Sequence, residues 1–355
     1  MIRRPPRSTQ GVSSAASDVY KRQFESKRNW MEYKVLGNTG VEVSELCLGT
    51  MTFGGAADEK ESASMFKLSR DAGINFFDCA NVYESGRSEE ILGKLMANSR
   101  EQLIITSKAY FPTSDDVNAR GGTRKHIMTA VNDSLKRLKT DYIDFYFLHR
   151  FDDFTPLEET LRTLEDLVRH GKVLYLGASN FAAWQVTKSL GITAKNGWSQ
   201  FECIQPMYNL VKRQAEVEIF PMALSENIGV ISYSPLGGGL LTGKYGIKKR
   251  PKAGRLIENK MYEKRYGDPK VFKIAEKFSH LAKDQNLSPI SLAVAWVASH
   301  PAVTAPIIGG RNSKQLKESL KSVDIKMTKK LRNIISALSP DPPIATYRNE
   351  EQTIY

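Results

Sequence analysis

Four residues able to move a proton stand at comparable places in this sequence. Asp78, Lys108 and His149 each stand at the end of an apolar, β-rich run, and Tyr83 follows Asp78 by five residues. If those runs are parallel strands that end on one side of the molecule, a carboxylate, a phenol, an ammonium and an imidazole meet there. A free phenol ionises near pH ~10, and a buried ammonium beside it lowers that value by favouring phenolate. Lys108 can supply the charge, Asp78 would keep Lys108 protonated and in place, and His149 would bridge Tyr83 and a substrate oxygen. The arrangement predicts proton transfer at a substrate oxygen.

The elements that must position these residues follow from the apolar pattern. Eight runs read as strands: residues 46–49, 75–80, 103–108, 142–149, 173–179, 203–207, 229–234 and 306–309. Between them lie helix signatures. Over 58–73, Asp58 caps and Glu61 sits three residues on, before Gly73. Over 123–138, Ile127, Val131, Leu135 and Leu138 share one face. Over 155–171, Thr155 is the expected cap, Pro156 takes the first helical position, Glu158 completes a capping box and Gly171 ends the helix. Ser288-Pro289 opens another helix through His300. Strands buried on both faces and alternating with one-sided helices predict a parallel sheet, and eight such units close most naturally into a (β/α)8 TIM barrel. A doubly wound open sheet fits less well, because Gly49-Thr-Met-Thr-Phe-Gly-Gly55 lacks the Gly-x-Gly-x-x-Gly spacing. Ahead of the barrel, residues 33–44 read as a β-hairpin around Gly37-Asn-Thr-Gly40.

Composition bounds the reading further. The chain has 355 residues, 41% hydrophobic and 25% charged, which is ordinary for globular proteins. No run of 18 apolar residues occurs, so no transmembrane helix is expected. Cys47, Cys79 and Cys203 are too few for a disulfide framework and point to a reducing, cytoplasmic setting. The formal charge is +12. Residues 1–23 contribute +4 of it, through Arg3, Arg4, Arg7, Lys21 and Arg22 against Asp18. With no apolar core, this leader is no secretory signal. It resembles translated adapter sequence, or else a transit segment, and Met31 is a plausible start. The expected organisation is a disordered leader over 1–30, a barrel domain over 31–338 and an irregular tail over 339–355, where Pro340, Pro342 and Pro343 forbid regular helix.

The residues around the four proton-moving groups resemble the aldo-keto reductase family. The stretch Gly73-Ile-Asn-Phe-Phe-Asp-Cys-Ala-Asn-Val-Tyr83, with Ser88-Glu-Glu-Ile-Leu-Gly93 after it, is similar to that family's first signature. Gly177-Ala-Ser-Asn180, Gln205-x-x-Tyr-Asn-Leu-x-x-Arg213, Tyr233-Ser-Pro-Leu-Gly237, Gly243-Lys-Tyr245 and Ile308-Gly-Gly-Arg311 follow in order. The likeness runs from about residue 31 to 320 and is nearest to the aryl-alcohol-dehydrogenase-like and potassium-channel-β-like branch. It implies that Asp78, Tyr83, Lys108 and His149 are the catalytic tetrad of a reductase of aldehydes and ketones. It also implies a nicotinamide cofactor bound in extended form. Ser179, Asn180 and Gln205 would then fix the carboxamide, and Tyr233 would offer its flat face to the ring. Ser234, Leu236, Gly238 and Leu240 would run along the pyrophosphate. Arg311 and Gln315, near a helix N-terminus, would receive the adenosine end, so NADP(H) is preferred over NAD(H). Thr50, Lys244, Gly309 and Glu318 complete the implied contacts. Cys79 stands where the family usually has Thr, and Ser319 where many relatives have Asn.

Phe53, Tyr110, Phe111 and Phe151 are candidate walls of a pocket for aryl or medium apolar carbonyls. Arg150 and Asp152, beside His149, would instead favour polar substrates. Trp184 reads as core. The basic stretch opening residues 245–269 reads as a solvated surface run or as a lid over the pyrophosphate. No interleaved aromatics support nucleic-acid binding there, and the basic charge suits an anionic cofactor. Two rival functions remain: a nicotinamide-bound sensor or accessory subunit with little turnover, and a metal-dependent barrel hydrolase. The second needs clustered ligands, yet of five histidines only His149 ends a strand.

Overall fold

The structure is a computed structural model and describes residues 31–346. The expected leader over 1–30 and the last part of the expected tail, 347–355, lie outside the described residues. Strands β1 (Tyr33–Val35) and β2 (Glu42–Ser44) pair antiparallel, with Tyr33 opposite Ser44. Gly37 in their turn has φ +58°, and a Cβ there would overlap the Glu202 carbonyl oxygen. Only glycine lets this hairpin close against the barrel.

Eight further strands form a closed, wholly parallel barrel: β3 (Cys47–Gly49), β4 (Phe76–Asp78), β5 (Ile104–Ala109), β6 (Ile143–Leu148), β7 (Val173–Ser179), β8 (Phe201–Gln205), β9 (Gly229–Ser232) and β10 (Ala305–Ile308). β10 returns to pair with β3. Around them run α1 (Glu59–Asp71), α2 (Arg87–Leu95), α3 (Arg124–Leu138), α4 (Leu157–Arg169), α5 (Ala183–Asn196) and α6 (Ile219–Ser225). Then follow α7 (Arg255–Glu258), α8 (Lys260–Tyr266), α9 (Pro269–Asp284), α10 (Pro289–Ala298), α11 (Ser313–Leu320) and α12 (Lys329–Ser336). This is the expected (β/α)8 barrel with its N-terminal hairpin. No helix among the described residues is long and apolar enough to cross a membrane.

Strand pleating decides which side chains reach the interior. Phe145 and Phe147 of β6 join the inner cluster with Phe76, while Tyr146, Leu148 and Phe77 join the outer layer under the helices. The period of two then turns Asp78 inward after Phe76, and Thr106 and Lys108 inward on β5. Ser107, between them, faces out and donates to buried Glu89 of α2 at 2.5 Å. A slip of one residue would exchange these sets, so the apolar core itself fixes the register of the polar centre.

Several local expectations hold, and others are corrected. Asp58 caps α1, accepting from the Glu61 amide at 2.8 Å. The Glu61 carboxylate, however, turns to the Ser313 amide and hydroxyl and ties α1 to α11. Thr155 does not cap α4: its hydroxyl donates to Asp152 at 2.6 Å, and the helix begins at Leu157 after Pro156. β9 stops at Ser232 because Ser234 adopts φ +64°, outside the β region. Trp184 is 60% exposed on α5 rather than core. Residues 245–269 hold two short helices, with Asn259 capping α8 through the Met261 and Tyr262 amides. Residues 339–346 form no helix or strand, in keeping with their three prolines.

Candidate active site

At the C-terminal end of the barrel, β4 and β5 bring Asp78 and Lys108 together. Lys108 is fully buried and donates to Asp78 Oδ1 at 2.6 Å and to the Cys79 carbonyl at 2.6 Å. The same Oδ1 accepts from Thr106 Oγ1 at 2.7 Å and from Gln205 Nε2 at 2.8 Å. A buried ion pair needs further hydrogen bonds to offset its desolvation, and these two donors, both on Oδ1, contribute to that. Tyr83 lies just past β4, with its hydroxyl 3.5 Å from Lys108 Nζ. After it the chain takes three left-handed residues, Glu84 (φ 47°), Ser85 (φ 55°) and Gly86 (φ 91°), before α2 begins.

The electrostatics correct one expectation. Burial pushes the Tyr83 phenol well above its ordinary value, and the Asp78 charge adds to the rise. Lys108 does not reverse this, because its short bonds go to Asp78 and Cys79. Tyr83 is therefore a protonated phenol, able to donate. His149 is pulled down to about 3, first by burial and then by Lys108, so its imidazole is neutral. Its ring stands 6.0 Å from that of Tyr83, nearly perpendicular, and its buried Nδ1 has no partner among the described residues. His300, packed on Phe220 far from this centre in sequence, is likewise lowered to about 4 by burial. Both stay neutral in the fold while the unfolded chain takes up protons below its ordinary histidine value near ~6.5. Stability should therefore fall as pH drops from about 6.5 toward 4, and a lower urea midpoint at pH ~5 than at pH ~7.5 is expected. Equal midpoints would contradict the neutral, buried imidazoles.

A cavity of about 970 Å³ opens beside this cluster. Asp78, Tyr83 and His149 line one end, and Arg311, Gln315 and Ser319 line another part. Ser179, Asn180, Gln205, Tyr233, Ser234, Leu236, Gly238, Lys244, Gly309 and Phe111 also line it. Lys108 lies beneath the wall. Asn180 sits at φ 58° at the end of β7. Its Nδ2 donates to the His149 carbonyl and Ser179 Oγ, and its Oδ1 accepts from the Tyr233 hydroxyl at 2.6 Å.

Other expected residues do not reach the cavity. Thr50 is buried and bonds the Asp78 carbonyl and Ser88 instead. Leu240 is fully buried in the core. Glu318 pairs with Lys321 at 2.7 Å, and its neighbour Ser319 faces the cavity in its place. Phe53 is core, Tyr110 packs edge-on behind Phe111, and Phe151 packs between Phe181 and Trp184. A residue just past a strand end can turn either way, and the folding-back of each loop decides. Asp152 is no pocket acid: it accepts from the Phe154 amide and Thr155 in its own loop and from the Gly122 amide, joining that loop to the one after β5. Arg150 does line the cavity.

The cavity wall also includes Thr52, Arg255, Met261, Tyr262 and Arg265, none of which the sequence reading named as site residues. The last four come from α7 and α8, inside the segment read as a basic loop. A signal existed in Met261, Tyr262, Arg265 and Tyr266, whose spacing repeats a helical face. No three His, Cys, Asp or Glu side chains gather as a metal site among the described residues.

A buried ammonium–carboxylate pair, a phenol and a neutral imidazole beside one cavity can bind a polar oxygen and hand it a proton. Comparison with known proteins agrees with that capacity. A protein named "Uncharacterized oxidoreductase YrpG" from Bacillus subtilis (strain 168) is 38% identical over 88% of this chain and 97% of its own length. A "Probable voltage-gated potassium channel subunit beta" from Oryza sativa subsp. japonica is 36% identical over 83% of this chain and 92% of its own. "Versiconal hemiacetal acetate reductase" from Aspergillus parasiticus is 33% identical over 84% and 94%. The sequence model of the aldo/keto reductase family matches residues 45–339, from the first barrel strand to beyond α12. With its barrel, its strand-end residues and its relatives in agreement, this chain belongs to the aldo/keto reductase family.

Proposed function

We propose that this chain reduces aldehydes or ketones to alcohols with NADP(H), and that residues 31–338 form the unit that does so. The observation carrying this reading is the Tyr83 hydroxyl at the cavity wall, 3.5 Å from the ammonium of the buried Lys108–Asp78 pair. A reduced nicotinamide, when bound, supplies the hydride for the carbonyl carbon. Tyr83 donates the proton to the carbonyl oxygen through its hydroxyl. His149, neutral and at the same wall, orients that oxygen. Lys108, 3.5 Å from the Tyr83 hydroxyl and held in place by Asp78, supplies a fixed positive charge that favours negative charge developing on the oxygen and then on the phenol.

The residues present fit a dinucleotide. At the tetrad end, Gln205 has already given its amide nitrogen to Asp78, which leaves its amide oxygen to receive a donor. Gly237, Gly238 and Gly239 hold φ values of 58°, 66° and 100°, giving a tight turn in which the Gly237 and Gly239 amides close on the Ser234 and Leu236 carbonyls and Gly238 faces the cavity where a pyrophosphate would pass. Further along stand Lys244, Arg255, Arg265 and Arg311, and the buried Ser319 hydroxyl has no partner among the described residues. Members of this family generally bind nicotinamide cofactors, typically NADPH. The phosphate-bearing form suits the cationic end. The three buried free thiols support a reducing, cytoplasmic setting, where a reduced cofactor is at hand.

The test is fluorescence titration with NADPH and NADH, followed by an aldehyde panel read at the reduced-nicotinamide absorbance. Arg311→Ala should weaken NADPH by about 10- to 100-fold, the range for a lost charged hydrogen bond, and NADH much less. Equal weakening would place the 2′-phosphate elsewhere. The rice relative's name favours a second reading, a nicotinamide-bound accessory subunit. Tight NADPH binding without turnover on any aldehyde would select that one, and no binding of either nucleotide would overturn both.

A further inference from the structure

We propose that Asn209 is a positioning residue for nucleotide retention, its buried carboxamide pinning helix α8, one wall of the cavity, to the Ser234–Gly239 turn opposite. The inference rests on the nucleotide reading above but uses a part of the molecule that reading leaves idle. Asn209 belongs to the motif Gln205-x-x-Tyr-Asn, contributes nothing to the cavity surface and is fully buried.

Its polar atoms are all engaged. Nδ2 donates to the Ser234 carbonyl at 3.0 Å and to the Tyr266 hydroxyl at 3.1 Å, and Oδ1 accepts from the Val211 amide at 3.1 Å. Its backbone closes a tight loop with Lys212, bonding in both directions. The asparagine is thus itself fixed, and it reaches out to two partners of different kind. Ser234 is a non-glycine residue at φ +64°, the first of a turn that continues through three left-handed glycines. Its carbonyl would otherwise be held only by the following turn. Tyr266 is the last residue of α8, fully buried, and its hydroxyl donates onward to Met207 Sδ at 3.6 Å.

Helix α8 is short and hangs on its Asn259 cap and on two buried side chains, Tyr262 and Tyr266. It spans seven residues, Met261 is 54% exposed, and the chain entering it crosses Lys248, Lys249, Arg250 and Lys252 on the surface. One turn before Tyr266, Tyr262 lies directly on the glycine turn: a Cβ on Gly238 would stand 2.7 Å from the Tyr262 ring. Arg255 and Arg265 flank that ring at 5.0 and 5.2 Å and line the cavity beside it. The Asn209–Tyr266 bond therefore sets how closely Tyr262 and both arginines close on the turn where the pyrophosphate would run. Loss of the bond frees the lid without touching a residue in contact with the nucleotide.

The experiment compares Asn209→Ala, Tyr266→Phe and the double variant in the full chain. Tyr266→Phe removes one oxygen and keeps the ring, so it preserves packing even if Asn209→Ala folds poorly. NADPH dissociation is followed by stopped-flow fluorescence, and trypsin cleavage after the lysines and arginines at 248–255 is followed without nucleotide. Each single variant should accelerate both processes about tenfold, the scale of one buried hydrogen bond. The double should go little beyond Asn209→Ala, because the two substitutions remove one shared bond. Thermal midpoints serve as the control. Variants that lose midpoint temperature but release NADPH and resist trypsin like the parent would overturn the proposal, as would fully additive effects. Should the parent bind no nucleotide, the reductase reading fails, and the trypsin comparison still decides whether Asn209 pins the lid.

Discussion

A Tyr83→Phe protein should turn over carbonyl substrates about 10²- to 10⁴-fold more slowly than the parent, the usual contribution of a placed proton donor. The substitution removes one oxygen and leaves the ring, whose centroid stays 5.1 Å from Lys108 Nζ. It also spares Asp78, which keeps its bonds to Lys108, Thr106 and Gln205. Folding and NADPH affinity should therefore change little, and the loss should appear equally in kcat and kcat/KM, as for an interaction made only in the transition state. Turnover within a few-fold of the parent would remove Tyr83 from the chemistry. The pH profile sharpens the test. Burial raises the phenol and lowers His149 to about 3, so both sit outside the working range. The parent's kcat should show no inflection from either group between pH ~5 and ~9. An alkaline loss inside that window would mean that Lys108 governs the phenol more strongly than burial does.

The sequence carries this centre in a readable form for a physical reason. Parallel barrel strands are buried on both faces, so they stand out as short apolar runs, and the polar residue ending each run marks the barrel mouth. Asp78, Lys108 and His149 were legible in that way, and Tyr83 through its distance from Asp78. The supports of the centre were not. Thr106 donates to Asp78 because β4 and β5 pair Asp78 with Thr106 in register, and a register is a property of two strands, not of one. Gln205 was expected at a carboxamide, but it reaches Asp78 across the barrel, over 127 positions of sequence. The lid residues Tyr262 and Arg265 escaped notice because a helix of two turns leaves too short a pattern to separate from a charged loop. Phe53 and Phe151 show the converse failure. Their type suits a substrate wall, yet the loop after β3 folds Phe53 into the core, and the end of β6 turns Phe151 toward Phe181. Residue type names what a side chain can do, whereas backbone direction decides where it does it.

Replacing Lys108 by Met should both destabilise and silence the protein. The ammonium is fully buried, and its partner's side chain is 3% exposed. Removing one member of such a pair leaves the other as an uncompensated buried charge, at a cost of roughly 3–5 kcal/mol. Thr106 and Gln205 still donate to Asp78, so the loss should fall toward the lower end of that range. Chemical denaturation of the parent and the variant measures it directly. Adding Asp78→Asn to Lys108→Met takes away the stranded carboxylate while keeping an oxygen for the two donors, and it should recover part of the lost stability. Turnover should not return in the double variant, because the positive field beneath Tyr83 is gone whether or not the fold is restored. The two readouts therefore separate: stability depends on the pair being matched, and catalysis depends on the cation being present. If Lys108→Met lost less than about 1 kcal/mol, the scale of an exposed ion pair, the pair would not be the dry contact described above. If the double variant regained turnover along with stability, Lys108 would be a structural residue, and Tyr83 would need another source for the positive field.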